Sequence, residues 1–217
     1  MRLVLIAAAL PAVLSSSLAA QAARPARPIP PAAGQIAAAV LPLPEAMRAG
    51  ARVWGYAPDG GFVELRAGTG SMTCIADDPK DDRFHVACYH NSMEAFMARG
   101  RELRAQGRDQ NAVDSVRTAD VLAGRIRMPP AASLYSLTGT AAQYDAATNT
   151  VHGARPLFVI YVPFATSASL GLPETPMRNA PWMMHAGDPN AHVMFVPEMG
   201  PSETPAAPAA AARPARP

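Results

Sequence analysis

Cys74 and Cys88 are the only cysteines in the chain, and they flank ADDPKDDR, whose Pro79 and four aspartates favour a turn over a strand. The runs on either side, residues 71–76 and 83–89, read as two strands of a hairpin. Pairing Cys74 with Cys88 sets Ile75 opposite Ala87 and Ala76 opposite Val86, and brings the two sulfurs together across the ladder. A disulfide closing this loop is worth about 3 kcal/mol in the chain-entropy treatment. It requires an oxidising compartment.

Two sharper uses of the same stretch are less well supported by spacing. A Cys2His2 metal site adding His85 and His90 is opposed by strand alternation, which puts Cys88 and His90 on one face and His85 on the other. Calcium held by Asp77, Asp78, Asp81 and Asp82 lacks the glycine and closing glutamate of an EF-hand loop, and Pro79 and Arg83 interrupt the ligand positions. A solvated turn balanced by Lys80 and Arg83 is the simpler reading.

The first residues agree with the compartment that a disulfide needs. Met1 and Arg2 precede LVLIAAALPAVL and then SSSLAAQAA, a charged start, an apolar centre and small residues after it. That pattern reads as a secretory signal peptide over 1–22, cut after Ala19 or Ala22. Pro11 and Ser15–Ser17 keep the apolar run short of the roughly 20 residues a spanning helix requires. The expected location is secreted or periplasmic.

A Pro/Ala/Arg-rich arm, 23–33, and a Pro/Ala-rich tail, 199–217, have too few large apolar side chains to order themselves, and both are expected to be disordered. Each carries the hexapeptide Ala-Arg-Pro-Ala-Arg-Pro, at 23–28 and at 212–217. Between Gly34 and Glu198 there are 14 Lys plus Arg and 16 Asp plus Glu, a net charge of 14 − 16 = −2. Positive charge thus lies outside the core, which argues against a nucleic-acid partner. Residues 34–198 suffice for one globular domain.

Along that domain, QIAAAVL and PEAMRAG read as short helical pieces. ARVWGYA and FVELR form a hairpin through a two-residue Asp59-Gly60 loop, setting Tyr56 opposite Val63 and Trp54 opposite Leu65. Asn91 with Glu94 three residues on suggests a capping box, opening a helix with Met93, Phe96, Met97, Gly100 and Leu103 inward and Gly107 at its end. Residues 112–123 form a second helix with Val113, Val116 and Val121 inward. Strands follow near 133–139, 157–164 and 191–196. The expected fold is α+β: a single domain with a mainly antiparallel sheet built from hairpins and two central helices packed on one face.

No Gly-x-Ser-x-Gly elbow, His-Glu-x-x-His helix or phosphate-binding Gly-rich loop is present. Gly68-Thr69-Gly70 precedes a strand and reads as a connection. Arg101, Arg104 and Arg108 share a helix face that could meet a phosphate or lipid headgroup, but more simply pair with Glu102 and Asp109.

Chemistry-bearing residues collect in the long loop from Ala165 to Asn190 and the strand after it. Met183, Met184, His185, Asp188 and His192 are a donor set for copper(I), with the His and Asp members alone suited to zinc. Trp182 and Tyr161 are candidates for a binding surface. Ser167 or Ser169 with His185 or His192 and Asp188 would make a dispersed hydrolytic site. The leading expectation is a non-catalytic binding or structural module of a bacterial envelope with no cofactor, its partner an envelope component or a small ligand. The alternatives are a copper or zinc protein using 182–199, and a small hydrolase.

Overall fold

The computed structural model describes residues 27–177 and 179–197. The signal peptide, the first four residues of the arm (23–26) and the whole C-terminal tail expected from sequence (199–217) lie outside these residues. The fold is α+β, one eight-stranded sheet with helices on both faces.

The chain enters through α1 (Ala32–Ala39) and α2 (Glu45–Arg48). The N-terminal strands are β1 (Arg52–Tyr56), β2 (Phe62–Arg66), β3 (Met72–Ile75) and β4 (Arg83–His90). After them come α3 (Glu94–Ala105) and α4 (Gln110–Leu122), then β5 (Ala132–Thr140). A small hairpin of β6 (Tyr144–Asp145) and β7 (Thr150–Val151) leads to β8 (Arg155–Tyr161). A single turn, α5 (Ser167–Leu170), precedes β9 (Trp182–Met184) and β10 (His192–Phe195).

The strand order is β2-β1-β3-β4-β5-β8-β10-β9, antiparallel throughout except for β1 against β3. That parallel pair arises because the β2–β3 connection passes beneath the start of β1. Thr69 and Gly70 N–H groups both donate to Gly50 O, at 3.0 and 2.8 Å. A Cβ on Gly68 would stand 2.6 Å from Arg52 N, so only glycine permits the crossing.

Cys74 and Cys88 form the disulfide, with Cα atoms 4.0 Å apart and Ile75 opposite Ala87, the register read from sequence. The first hairpin differs from expectation. Tyr56 pairs with Phe62 and Trp54 with Glu64, and the register shifts between Val53 and Trp54. The reason lies in the turn: Gly60 N–H donates to Ala57 O at 2.8 Å, Gly60 takes φ +87°, and Gly61 stands opposite Ala57. This is a three-residue loop closed by a left-handed glycine, one residue longer than a primed two-residue turn. Val63 and Leu65 therefore leave the face occupied by Trp54 and Tyr56.

One sheet face packs against α1, with Ala39, Val40, Leu43, Val53, Met72, Cys74 and Cys88 in one cluster, and Phe84 and Val86 beside Ala38 in another. The connection between β5 and β8 helps close this side: Tyr144 stacks on Phe84 with centroids 4.7 Å apart, and Asn149 Nδ2 donates to Ala37 O at 3.1 Å. The other face packs against α3 and α4 through Tyr89, Met93, Phe96 and Ile126, with Leu134 and Tyr161. Asn91 does not form the expected capping box. Its amide reaches back to Gly70 O at 3.0 Å and accepts from Thr73 Oγ1 at 2.8 Å, while Glu94 accepts from Tyr89 Oη and from Arg101, each at 2.6 Å. Among the described residues no helix is long and apolar enough to cross a membrane.

The turn between β3 and β4 is filled by an arginine, not by a cation site. Arg27 Nη2 donates to Asp77 Oδ2 at 2.7 Å and to Asp78 O at 2.8 Å, Arg27 Nε donates to Asp81 O at 2.9 Å, and the Arg27 backbone N–H donates to Pro79 O at 2.8 Å. Asp81 in turn receives Arg83 Nη2 at 2.9 Å. Arg27 stands in the arm expected to be disordered, so that arm is anchored from this residue onward.

Candidate functional site

The clearest concentration of chemistry lies where the C-terminal end of β8 and the strand β10 face α3 and α4. Tyr161 and His192 are direct cross-strand partners and Met184 faces His192 from β9, so the three form one row on the helix-covered side of the sheet. The Tyr161 and His192 rings are 5.1 Å apart, and His185, at φ +55° just after β9, brings its ring to 5.5 Å from His192. A histidine in the left-handed region is uncommon, and here the backbone turns the ring back over the row.

The helices supply the other half. Arg117 of α4 is 6% exposed, stacks over the Phe96 ring at 4.0 Å and donates to Asp114 Oδ1 at 2.6 Å; its Nε has no partner. Arg104 of α3 joins it: the Nη1 atoms of Arg117 and Arg104 lie 3.1 and 3.3 Å from where a Cβ on Gly100 would stand. Arg104 reaches Gln110 Oε1 at 3.5 Å, and among the described residues no carboxylate stands in ion-pair range of it. Phe96 also meets Tyr161 edge-on at 6.2 Å, so one ring positions both the guanidinium and the phenol.

These groups act on one another electrostatically. Burial pushes Tyr161 upward, with the charges of Arg117, Asp114 and Arg104 all bearing on it. Burial pushes His192 down, so its neutral form dominates; its Nδ1–H donates to Asn190 O at 2.7 Å, which leaves Nε2 as a bare acceptor. Burial works to raise Asp114, but hydrogen bonds from Gln110 and Arg117 outweigh it and hold the carboxyl below its usual range. Two guanidinium groups and one ionised carboxylate leave the cluster positive.

The residues singled out from sequence divide accordingly. Tyr161, His185 and His192 come together, with Met184 beside them. Met183 is fully buried and Trp182 is 6% exposed, so both side chains are placed in the core. Asp188 serves the loop through its carbonyl, which accepts from Phe164 and Ala191 N–H groups. Ser167 Oγ donates to Glu174 at 2.6 Å, and Ser169 Oγ bonds within the Thr166 cap, so both serines are used by the loop itself. With both cysteines oxidised, the Cys2His2 reading fails. No group of three or more His, Cys, Asp or Glu side chains converges on a cation position among the described residues.

Sequence reasoning missed Arg117 and Asp114, and placed Arg104 on a solvated face. The signal was present: Val113, Arg117 and Asp120 follow the 4, 3 spacing of a buried stripe, and all three are buried. Asp120 is the structural member, receiving Arg125 Nε and Arg99 Nε, each at 2.8 Å. An open groove along α3 lined by Arg99, Glu102, Asp120 and Arg125 has its cations already paired.

Acid should expose these carboxylates. Arg83 holds Asp81 down to about 2, Arg125 and Arg99 hold Asp120 below the usual range, and Asp114 is lowered as described. A carboxyl that binds protons more weakly folded than unfolded contributes stability above its unfolded value near 4, lost as pH falls toward 2. Asp77, raised by burial despite Arg27, works in the opposite sense. The expected result is a melting temperature that declines steeply between pH 4 and 2; a flat profile there would contradict these assignments.

No protein-family model matches this chain, and no curated protein or solved structure shows significant similarity to it.

Proposed function

We propose that this chain is an exported, non-catalytic binding module of a bacterial envelope, and that its ligand is a small oxyanion bearing its own O–H, such as hydrogen phosphate or a hydroxy acid. The observation that carries this reading is the convergence of Arg104 and Arg117 over Gly100, with only Arg117 of the two ion-paired, to Asp114. An anion would supply the missing negative charge. Tyr161, whose phenol feels the charges of both guanidinium groups, adds an O–H donor, and His192 Nε2 is an acceptor suited to the ligand's hydroxyl. Export is supported by the N-terminal pattern and by the Cys74–Cys88 disulfide.

Titration of phosphate and of a hydroxy acid into the protein, followed by calorimetry, tests the proposal. Arg104→Gln should weaken binding about ten- to hundredfold, the value of a hydrogen bond to a charged group, while leaving the melting temperature nearly unchanged. Equal affinity in wild type and variant, or no heat with either anion, would remove it.

A copper or zinc site is the second reading. It is favoured by imidazoles 5.5 Å apart, a bare Nε2 and the Met184 thioether facing His192. The neighbouring positive charge opposes it. Stabilisation by copper(I) or zinc that is lost in His192→Ala, with no response to anions, would favour the metal over the anion.

A further inference from the structure

The hexapeptide Ala-Arg-Pro-Ala-Arg-Pro occurs twice, and the fifth residue of the first copy is Arg27, the one that fills the aspartate turn. Arg216 holds the same place in the second copy. We propose that the turn between β3 and β4 is a receptor for the Ala-Arg-Pro motif, and that the C-terminal copy from the same molecule is its second occupant, competing with Arg27.

The recognition is built from few parts. Asp77 supplies a carboxylate oxygen, while the carbonyls of Asp78, Asp81 and Arg83 accept from the same guanidinium, the last at 3.2 Å. Pro79 O accepts the arginine's own backbone N–H at 2.8 Å. Every donor in this set belongs to the arginine, so any Ala-Arg-Pro segment can offer all of them. A fork of several N–H groups is required, which excludes lysine as an equivalent. Four aspartates against Lys80 and Arg83 leave the turn negative, opposite in sign to the tail's Arg213 and Arg216.

The tail can reach. Phe195, Phe158, Tyr135 and Cys88 lie in one row across β10, β8, β5 and β4, and β10 runs toward the sheet end at which Arg83 lies. Three strand spacings and five residues along β4 amount to about 15 Å across and about 17 Å along. The 19 residues from Pro197 to Arg216 span about 24 Å as a flexible chain and about 59 Å as extended polyproline. The span falls at the low end of that range, where a tethered segment has a high effective concentration. Cleavage after Ala19 or Ala22 would keep Arg27 in the mature chain, so both occupants would be present together.

The test uses the full chain. In Arg27→Ala, amide resonances of Lys80, Asp81 and Arg83 are compared with and without Arg216→Ala, at 20 μM and 500 μM protein. The expected result is that R216A shifts these amides and lowers the melting temperature by a few degrees in the R27A background. The effect should be equal at both concentrations and much smaller when Arg27 is intact. Arg27→Lys, which keeps the charge and loses the fork, serves as a second background. A synthetic Ala-Arg-Pro-Ala-Arg-Pro peptide added to R27A/R216A should shift the same amides, and its lysine counterpart should not. Identical spectra for R27A and R27A/R216A would overturn the proposal. An effect that vanishes on dilution would overturn its intramolecular form by assigning the site to a second copy.

Discussion

Replacing Cys74 and Cys88 together by alanine is expected to cost about 3 kcal/mol of folding stability. The bond closes a 15-residue loop, from Cys74 to Cys88, and both residues are fully buried between the sheet and α1. Domains of this size have roughly 5–15 kcal/mol in total, so the loss is a substantial fraction. Urea unfolding should show a lower midpoint and a steeper slope, because the unfolded chain freed of the crosslink exposes more surface. Serine in place of alanine should cost more because two hydroxyls would be buried with only Ala39 O, 3.2 Å from Cys88 Sγ, beside them to accept. Oxidised protein should weigh two hydrogens less than reduced protein. A stability change below about 1 kcal/mol for the alanine pair would show that the crosslink constrains little.

Phe96→Ala should be comparably severe, about 3–5 kcal/mol, as expected for deleting a buried ring from a packed core. Phe96 is 1% exposed and centres the cluster between α3 and the sheet. Its ring also lies under the Arg117 guanidinium and against the edge of Tyr161. The milder Phe96→Leu restores much of the volume but neither aromatic contact. It should keep the protein folded while weakening the proposed anion binding measured by calorimetry. If F96L bound anions as wild type does, Arg117 would owe its position to Asp114 and not to the ring.

Much of the framework could be read from residue patterns, because alternation over β4, the apolar run of β8 and the cysteine spacing are local signals. The cross-strand register of the disulfide followed from them directly. The first hairpin slipped by one because Asp59-Gly60 resembles a two-residue turn, whereas Pro58 joins the loop and Gly61 pairs with Ala57. β9 was not anticipated: three residues, Trp182–Met184, are too few to show alternation. The site was half legible. Its imidazoles and phenol stand out in the loop and strands, but Arg117 and Asp114 lie on α4, whose inward stripe reads from sequence as valines alone. Arg27 and the aspartate turn are both visible in the sequence, but 50 residues separate Arg27 from Asp77 and only the folded chain brings them together.

The strand order bears on how such a chain can be assembled as it is delivered from its first residue. Once β1 and β2 have closed their hairpin, β3, β4, β5 and β8 each join the same growing margin in the order in which they arrive. No strand up to β8 has to insert between two that are already paired. Only the final pair departs from this, with β10 passing inside β9 to finish the sheet. The architecture therefore suits vectorial construction, in which a partly delivered chain already holds a usable template for the segment that comes next.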